Sequence, residues 1–141
     1  MIKHPKRRGE WVELQFMARA AAHGLTVCKP WGECTRYDFA VEHQGRFTRV
    51  QVKSTSNYFQ NQYQCRCTPP TRPRGYRCYE IDFLAAYIVP EEVWYIIPVS
   101  VVSKLRRSIS LAPHRVHKYN RYLEAWHLLR KSPDHPITRC S

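Results

Sequence analysis

The chain has 141 residues, 43% of them hydrophobic and 13% aromatic, enough apolar material to bury a core within one domain. Lysine and arginine number 23 against 11 acidic residues, a net charge of +12, so a polyanion is the natural partner and nucleic acid the first candidate. No apolar run has the length of a membrane span and no basic amphipathic helix argues for a membrane surface. MIKHPKRRGE holds no signal-peptide core, which makes the cytoplasm the expected compartment.

Residues 1–8 form a basic arm that carries Lys6, Arg7 and Arg8. From Gly9 to about His23 the absence of proline, several alanines and a following Gly24 predict a helix. Glu13, Phe16, Met17 and Ala20 fall at i, i+3, i+4 and i+7, so an acid sits at the edge of an apolar stripe. LTVCKP reads as a first strand. RYDFAVEHQGRFTRVQVKST, residues 36–55, reads as a hairpin of two alternating runs, with Gln44-Gly45 as a two-residue turn. Pairing outward from that turn sets His43 opposite Arg46, Val41 opposite Thr48, Phe39 opposite Val50 and Asp38 opposite Gln51. Tyr37, Phe39 and Val41 then share an apolar face with Thr48, Val50 and Val52. Asp38 and Gln51 share the other face, with Lys53 as a diagonal neighbour. A one-residue slip would expose the apolar set, so the register is well specified.

STSNYFQN, residues 54–61, is expected to be a polar loop and YQCRC a short strand. TPPTRPRGYR reads as a surface loop rich in proline and arginine. FLAAYIV and VWYIIP are apolar enough for central strands. A short helix over VSVVSKL, an edge strand at SISLAP and an amphipathic helix over NRYLEAWHLLR follow, with a frayed tail at 131–141. The order predicts one α/β domain over 1–141, built around a mixed sheet. Of six cysteines only Cys65 and Cys67 are closely spaced, which is one pair too few for a zinc ribbon, so free thiols are expected.

The polar face of the hairpin suggests hard-metal chemistry. Magnesium takes oxygen ligands, commonly one or two carboxylates with water and phosphate completing the shell. Asp38, the Gln51 amide oxygen and the Val52 backbone carbonyl can supply positions, and Glu13 can bind directly or through water. Glu10, one turn earlier, is the alternative helix acid. Lys53 alongside can orient an attacking water and offset transition-state charge.

Glu13, RYDF with Asp38, and VQVKST with Gln51-x-Lys53 together resemble the active site of the PD-(D/E)XK nuclease superfamily. The likeness is greatest to the group I intron-associated homing endonucleases of cyanobacterial type, in which glutamine replaces the second acid. It extends over roughly residues 9–130, taking in EIDFLAAYIVPEEVWYIIP and YLEAWHLL. The resemblance implies a restriction-endonuclease-like core, a mixed central β-sheet flanked by helices, with a β-hairpin and loop extension for DNA. It implies hydrolysis of phosphodiester bonds in double-stranded DNA with Mg2+, Mn2+ substituting, of the sequence-specific homing or restriction type. By that likeness Asp38 is the metal-binding acid, Lys53 the catalytic lysine and Glu13 the helix glutamate. Gln51 departs from the usual Asp or Glu and removes one negative charge; Tyr37 stands where the motif has proline. Because one such site cuts one strand, a homodimer or homotetramer is expected, with the apolar strands and YLEAWHLL as surfaces for it or as core. Two other readings are a Holliday-junction resolvase or repair nuclease on the same fold, and a DNA-binding module that has lost catalysis.

Sequence reading is expected from NQYQCRC. Its Tyr63, Cys65 and Cys67 pack down, turning Gln62, Gln64 and Arg66 outward, where Gln can read adenine and Arg guanine in the major groove. Asn57 and Tyr58 lie on the loop leading to that strand. Arg72, Arg74 and Arg77 would hold phosphates without reading sequence.

Overall fold

The computed structural model describes residues 2–32 and 34–130. Helix α1 spans Pro5–Ala22 and is followed by strands β1 (Thr26–Cys28), β2 (Phe39–His43), β3 (Arg46–Thr55), β4 (Tyr58–Phe59) and β5 (Gln62–Arg66). Strands β6 (Phe83–Ile88) and β7 (Val93–Pro98), helix α2 (Val99–Val102) and strand β8 (Ser108–Leu111) complete the regular elements, apart from short 3-10 turns. The helix starts ahead of Gly9 and absorbs half of the expected basic arm. Proline at its first position supplies a helical φ and has no N–H to leave unpaired. Lys6, Arg7 and Arg8 therefore lie on its first turns rather than on a free arm.

The hairpin has the register that its alternation predicts, from Phe39 opposite Val50 to His43 opposite Arg46. Gln44 (φ +53°) and Gly45 (φ +79°) form its two-residue turn, with glycine free to take that φ. Strand β1 pairs with β2, β3 pairs in parallel with β6, and β6 pairs antiparallel with β7, giving a five-stranded mixed sheet ordered β1-β2-β3-β6-β7. A guanidinium pins the parallel pair: Arg49 donates from Nε to Asp82 Oδ2 at 3.1 Å and from Nη2 to Oδ1 at 3.0 Å, and the Asp82 N–H donates to the Arg49 carbonyl at 2.8 Å.

The alternating faces of this sheet bury two cores. Val50, Val52, Ala85, Tyr87, Trp94 and Ile96 pack against Val12, Phe16 and Ala20 of α1. Leu84, Ala86, Ile88, Tyr95 and Ile97 pack against Tyr63, Cys65, Ile109 and Leu111 of a second, three-stranded sheet ordered β4-β5-β8. Residues 54–61 are thus not all loop, because β4 opens a second hairpin there. Gln60 (φ +50°) and Asn61 (φ +63°) make its turn, and the Thr55 hydroxyl donates to the Gln64 carbonyl at 2.6 Å. That bond ties the new hairpin to the end of β3.

The expected terminal helix is absent. Asn120–Tyr122 and Trp126–Leu129 are 3-10 turns, interrupted by extended Leu123 and by Glu124 at φ +50°. Glu124 spends its hydrogen bonds on β7. Its N–H donates to the Trp94 carbonyl (2.7 Å), and its carboxylate accepts from the Trp94 N–H (3.1 Å) and Trp126 Nε1 (2.6 Å). These contacts shield an otherwise open sheet edge. Trp126 and Leu129 are buried in the first core and β6 and β7 are covered on both faces, while His127 of the YLEAWHLL segment is exposed. Cys28, Cys34, Cys65 and Cys67 are free, but Cys78 is disulfide-bonded, against the expectation of free thiols. Among the described residues no helix is long and apolar enough to cross a membrane. The expected tail at 131–141 lies outside the described residues.

Candidate active site

Asp38 sits where β2 and β3 part. Its N–H donates to the Val50 carbonyl at 2.9 Å, one step beyond the β2 ladder. Strand β3 runs on past the start of β2, and there the Val52 N–H donates to Asp38 Oδ2 at 2.7 Å. The carboxylate thus caps a backbone group that β2 does not reach. Burial pushes Asp38 up to about 6, partly opposed by the Val52 hydrogen bond; the nearby charge of Glu13 adds to the rise, while Lys53 and Lys29 act against it.

Gln51 and Lys53 project from β3 on the side opposite Val50 and Val52, toward the second sheet. Burial lowers the Lys53 ammonium's affinity for its proton, with Asp38 working the other way. The ammonium lies 6.0 Å from the centre of the Tyr76 ring. Gln51 Nε2 is a loose 3.5 Å from the Val52 carbonyl.

Helix α1 brings Glu13 to this edge of the sheet, with Lys29 Nζ 3.5 Å from its Oε2. Glu10 instead lines a separate cleft of about 430 Å³, shared with Lys3, Arg7, Trp11 and Leu14. Glu13 is therefore the helix acid that shares a field with Asp38. Among the described residues no group of three or more His, Cys, Asp or Glu is placed to hold a metal ion. The candidate donors are two carboxylates, one amide oxygen and one backbone carbonyl, all hard oxygens of the kind magnesium takes. A desolvated carboxylate beside a second acid is also a site where a divalent cation would relieve repulsion. The residues present fit such an ion.

Beyond the site lies an open cavity of about 650 Å³, lined by Asn57, Gln64, Arg66, Arg72 and Arg107 among others, with no acidic side chain among the described residues of its walls. Tyr63, Cys65 and Cys67 are buried, as the alternation predicts, leaving Gln62, Gln64 and Arg66 on the outer side. Arg66 is tied back to the Pro69 carbonyl at 3.3 Å, and the Gln64 amide oxygen accepts from the Ser110 hydroxyl at 3.0 Å. Arg115 approaches Gln62 at 3.4 Å, and the Tyr58 hydroxyl donates to Asn61 at 2.6 Å. Two of the expected phosphate contacts have internal partners: Arg72 is paired with Glu80, and Arg77 donates to the Tyr79 hydroxyl. Arg74 stays exposed beside Arg106.

Sequence reasoning missed four features of this region. They are Lys29 on Glu13, the Tyr76 ring under Lys53, the Arg36–Glu80 ion pair at 3.3 Å, and Arg107 on the cavity wall. Only Lys29 carried a usable signal, as a lone cation just past the strand that precedes RYDF.

The sequence profile of the PD-(D/E)XK endonucleases matches residues 3–129. The chain belongs to this family. Its fold is similar to that of a bacterial homing endonuclease, I-Ssp6803I, with a TM-score of 0.77 at 28% sequence identity, over 92% of this chain and 93% of that one. No curated protein matches the sequence. The central mixed sheet and α1 are thus the restriction-endonuclease-like core of a PD-(D/E)XK endonuclease, and β4, β5 and β8 form the second sheet on one face of it.

Proposed function

We propose that this PD-(D/E)XK endonuclease hydrolyses phosphodiester bonds in double-stranded DNA at a specific sequence, with Mg2+ as its ion and Mn2+ as a substitute. One observation carries the reading: a half-buried Asp38 carboxylate, fixed at 2.7 Å by the Val52 N–H, shares its field with both Glu13 and Lys53. Asp38, the Gln51 amide oxygen and the Val52 carbonyl would hold the cation, with Glu13 binding directly or through water. The bound ion would supply Lewis-acid polarisation of the scissile phosphate and a lowered water pKa. Lys53 donates to the phosphate as negative charge builds on its oxygens and orients the incoming water. Partial burial of Lys53 strengthens that interaction, since solvent screens it less than it would an exposed charge.

Glutamine at 51 leaves the site with one negative charge fewer than a second acid would give, which favours one ion over two. The net charge of +12 and the acid-free cavity beside β5 support a DNA substrate. The outward Gln62, Gln64 and Arg66 support base reading from the same strand, while Arg74, Lys6, Arg7 and Arg8 suit phosphates. Asn57 and Tyr58 stand at the approach to that strand. We read residues 1–141 as one catalytic domain acting in the cytoplasm as a homodimer or homotetramer, since one site cuts one strand. Digestion of defined duplex and branched DNA, with magnesium present and absent, tests the function. Metal-dependent cutting of a duplex at one site supports it; cutting confined to branched DNA would place the protein among junction-resolving or repair nucleases.

A further inference from the structure

Tyr76 comes from the loop between β5 and β6, yet it is among the most buried side chains, at 1% exposure. Its ring faces the ammonium of Lys53, 6.0 Å from the ring centre, within reach of a cation–π attraction. The loop that delivers the ring is held from several sides. The Gly75 N–H donates to the Leu105 carbonyl at 3.1 Å, and a Cβ at Gly75 would collide with the Val102 carbonyl, so only glycine lets the loop lie this close to α2. Arg72 donates to the Gly75 carbonyl at 3.2 Å and to the Glu80 carboxylate. Glu80 also accepts the Arg77 N–H at 3.0 Å and pairs with Arg36 at 3.3 Å. Arg36 precedes Asp38 by two residues, so one partly buried carboxylate ties the Tyr76 loop to the segment that carries the metal-binding acid.

We propose that Tyr76 is a positioning residue for Lys53: the face of its ring, set by the Arg72–Gly75–Glu80 loop, holds the ammonium beside Asp38. This rests on the reading of Lys53 as the lysine that acts on the phosphate. A lysine has a flexible four-carbon stem and a point charge, so its placement has to come from its surroundings. A further carboxylate there would compete with the phosphate for the charge. An aromatic face attracts the ammonium without taking a proton from it or neutralising it. Small displacements of a reacting group are costly, up to about a hundredfold per ångström, so a ring that restrains the ammonium governs turnover rather than substrate binding.

The test alters the ring's electrons without altering its shape. Tyr76→Phe, and the same position filled by phenylalanines of increasing fluorine content, are compared in magnesium-dependent cleavage of a defined duplex, beside Lys53→Met. The expected result is that Tyr76→Phe keeps kcat close to wild type. Added fluorine then lowers kcat stepwise, by about tenfold or more in all, with KM and duplex affinity unchanged. A kcat indifferent to fluorine, or a loss already complete in Tyr76→Phe, overturns the proposal while Lys53→Met remains inactive. Cleavage by Lys53→Met at the wild-type rate overturns instead the reading of Lys53 on which it rests.

Discussion

Val52 donates its backbone N–H to Asp38 Oδ2 at 2.7 Å, and this bond sets the carboxylate at the fork between β2 and β3. The position is unfavourable for the isolated charge, because burial outweighs the hydrogen bond and pushes Asp38 up to about 6. The folded metal-free protein therefore binds a proton more tightly than the unfolded chain does. Its stability at this residue is full below the model-peptide value of 3.8 and is lost as pH rises through about 6. Asp38→Asn should thus stabilise the protein in chelator at neutral pH, by no more than about 3 kcal/mol at roughly 1.36 kcal/mol per pKa unit. Urea denaturation of both proteins from pH 4 to pH 7.5 checks this, as a gap that widens toward neutrality. A gap of constant size would contradict it.

The two helix acids separate by the same logic. Glu13 shares the site with Asp38, whereas Glu10 lines a different cleft. Glu13→Gln should lower magnesium-dependent cleavage by roughly 10–100-fold, the usual effect of losing a group at or behind a metal's first ligands. Glu10→Gln should leave the rate unchanged. Parallel rate measurements at fixed magnesium decide, and equal losses in both would remove the distinction.

Glu80 predicts the opposite pH behaviour from Asp38. Burial works against its charge, but the Arg72 pair, the Arg77 N–H and Arg36 outweigh it and hold the carboxyl below its ordinary value. That stabilisation is present above the unfolded pKa and is lost as pH falls through the lower, folded one. Glu80→Gln should cost about 1.5–3 kcal/mol at pH 7, the usual worth of a hydrogen bond to a charged group, and less in acid. Melting curves at pH 7 and pH 3.5 measure the difference. A penalty that grows in acid would show that the cluster does not stabilise through this charge.

Much of the fold was legible where one element's own alternation specifies it. The period-two pattern around Gln44-Gly45 determined the register, and with it the shared face of Gln51 and Lys53. The inward set Tyr63, Cys65 and Cys67 followed from the same period. The misses are places where a distant partner overrides local pattern. YLEAWHLL has a helical period, yet Glu124 trades the helix for bonds to Trp94 across 30 positions of chain. TPPTRPRGYR reads as a surface loop, yet Glu80 pairs with Arg72 and the Leu105 carbonyl accepts from the Gly75 N–H, which draws Arg72, Gly75 and Tyr76 inward. No pattern along the chain encodes those partners.

Base reading and phosphate holding should part cleanly between two arginines. Arg66 lines the acid-free cavity from β5, and Arg66→Ala should cost about 1–3 kcal/mol of discrimination at one base pair. Arg74 is exposed, and Arg74→Ala should weaken binding to all sequences alike and flatten the salt dependence. Binding assays over a set of single-base-pair variants, at two or more salt concentrations, separate the two effects. Unchanged base preference in Arg66→Ala would exclude β5 as the reader.

The central claim is that Asp38 organises a metal-dependent cleavage site. Its most direct test is the single-turnover cleavage rate of one defined duplex, measured for the wild-type protein and for Asp38→Asn over a magnesium titration that starts in chelator. The account predicts no wild-type cutting in chelator, a rate that rises and saturates with magnesium, and no cutting by Asp38→Asn at any concentration although it still binds the duplex. Wild-type cutting that ignores the chelator, cutting by Asp38→Asn at the wild-type rate, or a wild-type protein that binds DNA but never cuts it would contradict the account.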